Sequence, residues 1–196
     1  MATKSTLKRE LILDRAEQVF IRKGFNRVTM KDIIEECSIS RGGVYLYFST
    51  VDEIFVEVVK THNRAKIDAI RASIESNNNF DQLIDDFFSE QKERLFNMDK
   101  SLFAAMLEFC FSHKNQSDRD FYTEQFFNTK NIIMELLKFG QASGAISAQN
   151  LDNLADSIMF LIEGLRSLAV SSAISSELVD RQLAVCKRMV YSNIFD

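Results

Sequence analysis

Residues 29–48 read TMKDIIEECSISRGGVYLYF, and how that stretch divides decides the fold. Thr29 suits an N-cap, because its hydroxyl can accept a bond from a first-turn amide. Met30, Ile33, Ile34 and Cys37 then recur at helical spacing. Ser38-Ile39-Ser40 interrupts the spacing, and Ser40 can cap a second helix predicted over 41–48. That helix would carry Val44 and Phe48 on one side and Arg41, Tyr45 and Tyr47 on others. Two short capped helices joined by a three-residue turn make a helix-turn-helix. In that motif the second helix enters a DNA major groove by its N-terminal end. Gly42 and Gly43 suit this use. Each costs about 1 kcal/mol of helix propensity against Ala, but a bare backbone can approach a duplex closely.

Outward from this stretch the pattern stays helical. On the N-terminal side, Leu7 to Lys23 reads as a helix with Ile12, Ala16, Val19 and Phe20 in one stripe and Arg9, Arg15 and Arg22 off it. Gly24 suits the position just past its end, and Phe25 can fold back on it. Lys4, Lys8 and Arg9 could touch phosphates or be merely solvated. On the C-terminal side, Ser49 or Thr50 can cap a long helix to about Asn77, with Ile54, Phe55, Val58 and Val59 on its buried face. Asn77-Asn78-Asn79 is a loop and a cap. Four apolar helical stretches follow: Phe80 to Asn97, Ser101 to His113, a long one capped by Ser117 and ended by Gly144, and one of about 150–172 capped by Asn150. A last helix, about 176–194, is capped by Ser175 or Ser176. The stretch 101–113 is apolar on most sides and is expected to lie centrally in a bundle. Strand-like alternation is absent, and a chain with no proline and six glycines suits nearly continuous helix. The predicted class is all-α.

With 196 residues, 46% of them apolar, the chain can bury a substantial core. No apolar run reaches membrane-spanning length and MATKSTLKRE lacks an apolar signal core, so no membrane partner and a cytoplasmic location are expected. Cys37, Cys110 and Cys186 are odd in number and far apart, which favours reduced, buried thiols over a thiol sensor. His62 and His113 are too few and too separated for a metal site, and no phosphate loop or nucleophile–base motif occurs. No cofactor and no enzymatic activity are expected. The net charge is −4, but residues 1–50 hold nine Lys/Arg against six Asp/Glu, a net +3, and the remainder fifteen against twenty-two, a net −7. Basic charge is concentrated where DNA would sit.

Residues from about Leu7 to Val59 resemble the DNA-binding domain of TetR-family transcriptional regulators. The resemblance runs through KGFNRVTMKDIIEECSISRGGVYLYFSTVDEIF. It includes the KGF turn, the Thr cap, the Ile-Ser-Arg-Gly turn, the Val-Tyr-x-Tyr-Phe helix and the acidic Asp52-Glu53 opening the next helix. It implies an N-terminal three-helix helix-turn-helix DNA-binding head over residues 1–50, with the start of a connecting helix to about 60. It further implies a C-terminal helical ligand-binding and dimerisation bundle over 51–196. The implied function is a one-component repressor that binds a pseudo-palindromic operator in double-stranded DNA as a homodimer and is released by a small, mainly apolar or aromatic effector. The resemblance assigns dimerisation to the two C-terminal helices, whose apolar stripes are equally explained by packing within one chain.

On the resemblance and the chemistry together, the candidate DNA contacts are Thr29, Lys31, Ser40, Arg41, Gly42, Gly43, Tyr45 and Tyr47. Arg41 could grip a guanine edge or a phosphate. Tyr45 and Tyr47 offer hydroxyls to phosphates and rings to thymine methyls. Two departures stand out: Val51 where the family commonly has a phosphate-contacting lysine, and Leu46 where it often has a polar or aromatic residue. Candidates for an effector pocket are Phe87, Phe103, Met106, Phe109, Phe126, Phe127 and Met134, with Glu108, Tyr122, Gln125 and Asn128 as polar orienting groups. The plain alternative for the phenylalanines is core, and for the polar four an exposed helix face. The competing reading of the whole chain is a helical ligand-binding protein or enzyme without specific DNA recognition. An activator or a sequence-independent architectural binder is a further alternative.

Overall fold

The computed structural model describes residues 4–76 and 79–192. Nine α-helices and no strand occur among them: α1 Lys4–Lys23, α2 Met30–Cys37, α3 Arg41–Tyr45, α4 Val51–Ser76, α5 Phe80–Phe96, α6 Phe103–Ser112, α7 Gln116–Ala142, α8 Leu151–Ser171 and α9 Ser176–Tyr191. A 3₁₀ turn, Met98–Lys100, precedes α6. The loop expected at Asn77-Asn78 and the end of the last helix at 193–194 lie outside the described residues.

Most helix starts follow the predicted caps. Thr29, Ser40, Asn79, Asn150 and Ser175 each accept a first-turn backbone amide. Thr50 rather than Ser49 caps α4, accepting from the Glu53 amide at 3.1 Å. Gly24 and Gly144 hold the left-handed backbone (φ 72° and 74°) that follows α1 and α7.

Four boundaries differ from expectation. Helix α1 starts at Lys4, three residues early, since Lys4, Ser5 and Thr6 contain no breaker. Helix α3 stops at Tyr45 instead of Phe48. Two glycines in five residues add little propensity, and the Tyr47 amide tightens onto the Val44 carbonyl at 2.9 Å as Phe48 turns into the core. Helix α6 starts at Phe103, where Ser101 Oγ accepts the Phe103 amide at 3.3 Å. Helix α7 is capped by Asn115 and not by Ser117: Asn115 Oδ1 accepts the Asp118 amide at 3.0 Å and the Ser117 hydroxyl at 2.7 Å.

The chain folds into two compact units. The first comprises Met1–Arg64 and Asp99–Tyr122, the second Ala65–Met98 and Thr123–Asp196. The head expected over 1–50 is therefore embedded in a larger unit that also takes α6. Its core contains Ile12, Ala16, Val19, Phe20, Ile33, Val44, Phe48, Ile54, Phe55 and Phe109. Phe25 meets Phe55 at 4.9 Å and Phe109 at 5.0 Å between ring centroids, and Phe109 meets Phe55 at 5.1 Å. Helix α6, expected at the centre of the effector bundle, is instead part of the head's core. Its apolar surface required burial, but nothing local specified that Phe25 and Phe55 would supply the partners.

The second unit packs α5, α8 and α9 with most of α7 around Leu83, Ile84, Leu136, Leu137, Leu154, Ile158, Ile162, Leu183 and Cys186. Polar ties sit at its rim. Lys92 pairs with Asp180 at 2.5 Å, Lys187 pairs with Asp85, and Lys130 bridges Asp152 at 2.9 Å and Asp156 at 2.7 Å. The exposed pairs Lys92–Asp180 and Lys187–Asp85 fix register more than they stabilise, each contributing roughly 0–1 kcal/mol, whereas Lys130 is itself buried beneath its two carboxylates.

Candidate nucleic-acid interface

The reader is built from α2, the turn 38–40 and α3. Thr29 and Asp32 form a reciprocal capping box: Thr29 Oγ1 accepts the Asp32 amide at 3.3 Å, and Asp32 Oδ2 accepts the Thr29 amide at 2.9 Å. Lys23 adds a 2.7 Å bond to the same carboxylate. Together Lys23, the Thr29 amide and the Thr29 hydroxyl hold the Asp32 pKa down to about 2. The turn closes through Ser38, which adopts φ 53° and donates its amide to the Glu35 carbonyl at 3.2 Å. A non-glycine residue there costs about 1–2 kcal/mol.

Helix α3 divides sharply between inside and outside. Val44 and Phe48 are buried, while Arg41, Gly42, Tyr45 and Leu46 face solvent, Leu46 at 82% exposure. The two glycines have different roles. A Cβ on Gly42 would meet nothing within 4 Å, whereas one on Gly43 would lie 2.7 Å from Ile39 Cγ2 and 3.1 Å from Ser40 Oγ. Gly43 is thus required by packing within the head, and Gly42 leaves an open backbone on the outer face. Ser40 Oγ accepts the Gly43 amide at 3.2 Å, so its lone pairs serve the cap and its O–H remains a donor. The Arg41 guanidinium stands over the Tyr45 ring at 5.4 Å.

The remaining candidates are placed less uniformly. Thr29 is exposed at the start of α2. Lys31 is exposed and loosely paired with Glu35 at 3.8 Å. Tyr47 is half-buried and its Oη accepts the Ser5 hydroxyl at 3.3 Å. Of the three α1 cations left open by the sequence, Arg9 is committed inward. It pairs with Glu57 and stands over the Phe48 ring at 5.2 Å. Lys8 Nζ lies beside the start of α3, 3.4 Å from where a Gly43 Cβ would be. One-dimensional spacing could not separate Lys8 from its neighbours, because that proximity is tertiary.

The effector candidates divide between the units. Phe103, Met106, Glu108, Phe109 and Tyr122 belong to the first, and Phe87, Gln125, Phe126 and Phe127 to the second. Met106 and Phe109 are buried in the head's core, with Tyr122 packed against it. Glu108 is neither on a bare face nor unengaged: Oε2 accepts the Asn26 amide at 2.8 Å, and the carboxylate sits against Gly24. In the second unit Phe87 and Gln125 are buried, Phe126 meets Phe160 at 5.4 Å, and Phe127 is half exposed. A cleft of about 580 Å³ in the first unit is lined by Arg9, Tyr47, Phe48, Asp52, Glu53, Val56, Glu57, Phe109, His113, Asn115 and Asp118. Phe109 is the only effector candidate on its wall.

All three cysteines are free, and burial is the largest influence on each thiol. It pushes Cys110 and Cys186 up to about 11 and raises Cys37. Among the described residues there is no cluster of metal-ligating groups, and no helix is long and apolar enough to cross a membrane.

The sequence pattern of the bacterial regulatory proteins, tetR family, matches residues 12–58, which run from α1 through the reader into α4. The tetR-family match is thus to the head, residues 12–58. The uncharacterized HTH-type transcriptional regulator YfiR of Bacillus subtilis (strain 168) is 56% identical over 50 residues, covering 26% of this chain and 24% of that protein. The match therefore spans about a quarter of that relative's length. Over the whole chain the similarity is one of fold. The reduced form of E. coli NemR superimposes with a TM-score of 0.78 at 17% identity, covering 95% of this chain and 98% of that one. FadR from Bacillus subtilis, in complex with stearoyl-CoA, superimposes with a TM-score of 0.72 at 20% identity, covering 94% and 98%. The TetR-family head and the helices after it thus share one known architecture.

Proposed function

We propose that this chain is a one-component transcriptional repressor of the TetR family that binds a pseudo-palindromic operator as a homodimer and leaves it when a mainly apolar small molecule binds. The observation that carries this reading is the two-sided character of α3. Val44 and, past its end, Phe48 anchor it in the core, while Arg41 and Gly42 stand outward at its groove-entering N-terminal end and Tyr45 and Leu46 follow outward at its C-terminal end. Lys31, Lys8, Thr29, Ser40 and Tyr47 surround that face as phosphate contacts.

Homodimerisation through α8 and α9 is supported by a stripe along α8. Phe160 (66% exposed), Gly164 and Leu168 (39%) recur every fourth residue, and a Cβ on Gly164 would meet nothing within 4 Å. An exposed apolar stripe with a bare backbone at its centre suits a second copy of the same helix. The apolar effector is supported by the second unit's core, in which Phe87 is buried and Phe126 packs, by buried Gln125, and by the stearoyl-CoA held by the FadR of the same fold. Release follows if the effector binds more tightly to a state whose heads mismatch the operator.

Footprinting of the DNA beside the coding region tests the proposal, with and without a panel of apolar compounds. Protection is expected to be sequence-specific, to fail with Arg41→Ala combined with Tyr47→Ala, and to be relieved by an apolar compound. Protection that ignores sequence, or that survives the double substitution at fixed salt, overturns it.

A further inference from the structure

We infer that Tyr45 is a positioning residue for base recognition, its ring holding the Arg41 guanidinium ready to read a guanine edge. The inference rests on the repressor reading above. The guanidinium carbon lies 5.4 Å from the Tyr45 ring centroid, inside the distance at which a cation is drawn to a ring face. The two residues are four apart on α3, where helical neighbours meet.

Three other arginines around the reader are tied through their N–H groups, Arg9 in addition to its place over the Phe48 ring. Arg9 pairs with Glu57, Arg22 with Glu36 at 2.5 Å, and Arg27 donates to the Lys23 carbonyl at 2.8 Å. Those partners occupy N–H donors. A ring face takes up no conventional hydrogen-bond acceptor, so this contact claims none of the guanidinium N–H groups for a side-chain or backbone oxygen. A guanine presents two acceptors, O6 and N7, to a guanidinium. Stacking therefore restricts a long, rotamer-rich side chain before DNA arrives without using the groups that DNA would need. Gly42 keeps the adjacent surface clear, since nothing lies within 4 Å of its absent Cβ. The role assigned here is that of the Tyr45 ring, not of the hydroxyl that a phosphate would engage.

The test uses the full chain and a duplex enriched by it from a randomised pool. Affinities are measured for wild type, Arg41→Ala, Tyr45→Ala, Tyr45→Phe and the double alanine variant. Each is titrated against the selected duplex and against one whose half-site guanines are replaced by 7-deazaguanine. The expected pattern has four parts. Removing N7 costs wild type about tenfold, in the range of a good guanine contact. Tyr45→Ala weakens binding about two- to fivefold, the size of an exposed cation–ring contact, and narrows the guanine dependence. The double variant is no weaker than Arg41→Ala, and Tyr45→Phe binds like wild type. Additive losses in the double variant, or a Tyr45→Phe as weak as Tyr45→Ala, overturn the positioning role while leaving the repressor reading intact. An Arg41→Ala that keeps the guanine dependence likewise overturns the inference and not the repressor reading, whereas a pool with no enriched sequence overturns the repressor reading itself.

Discussion

Asp32 ties the start of α2 to the end of α1, and its chemistry makes that tie pH-dependent. Lys23 and both donors of Thr29 stabilise the ionised form and hold the group at about 2. The unfolded-state value is near 3.9. A folded value below the unfolded one means that the stabilisation is complete above pH ~5 and is lost as pH falls toward ~2. Urea melts between pH 5 and 2.5 are expected to show wild type losing more stability than Asp32→Asn; parallel curves would remove Asp32 from this role. The adjacent glycines give a second contrast. Gly42→Ala meets open space and gains helix propensity, so its thermal stability should hold or rise while operator affinity falls. Gly43→Ala presses on Ile39 Cγ2, 2.7 Å away, and should cost about 1–3 kcal/mol in a denaturant melt. A stable Gly43→Ala, or a Gly42→Ala with undiminished DNA binding, would refute the division of roles.

At the scale of elements, α6 lies furthest from its expected place, in the core of the first unit. Phe109 is 1% exposed and meets Phe25, Phe55 and Phe121, while Glu108 one residue earlier takes the Asn26 amide. The helix holds the turn after α1 by an apolar and a polar contact on adjacent residues. Phe109→Ala should destabilise the first unit by about 3–5 kcal/mol, the usual range for a buried phenylalanine. Thermal denaturation followed through the head's backbone signals measures it, and a loss below about 1 kcal/mol would show that α6 is not built into that core. Most caps were legible, Ser117 being the exception, because a cap is a local contract between one side chain and an amide two or three residues on. The partner of an apolar helix was not legible, because burial demands a neighbour without naming it.

At the scale of the whole molecule, charge is spread unevenly along the chain. The net charge is −4, yet the first fifty residues are basic, which places attraction for DNA on the head. The exposed apolar stripe lies on α8, with Phe160 at 66% exposure. Phe160→Asp is expected to shift a dimer toward monomer in sedimentation at micromolar concentration and to weaken operator binding through the lost second head. A wild-type chain that sediments as a monomer at that concentration would refute the interface.

The amino-acid order by itself determined what depends on near neighbours: the helical class, the cap at Thr29, the turn before Ser40 and the recognition-helix segment from Arg41 onward. These follow from hydrogen bonds and periodicities spanning three or four residues, which a linear string displays directly. Only the tertiary structure decided that Arg9 turns inward to Glu57 while Lys8 stands beside α3, that Gly43 is needed for packing and Gly42 is not, and that the effector candidates fall in two units. Each of those outcomes depends on contacts between residues far apart in the chain, where the hydrophobic effect requires burial but only close packing selects the partner.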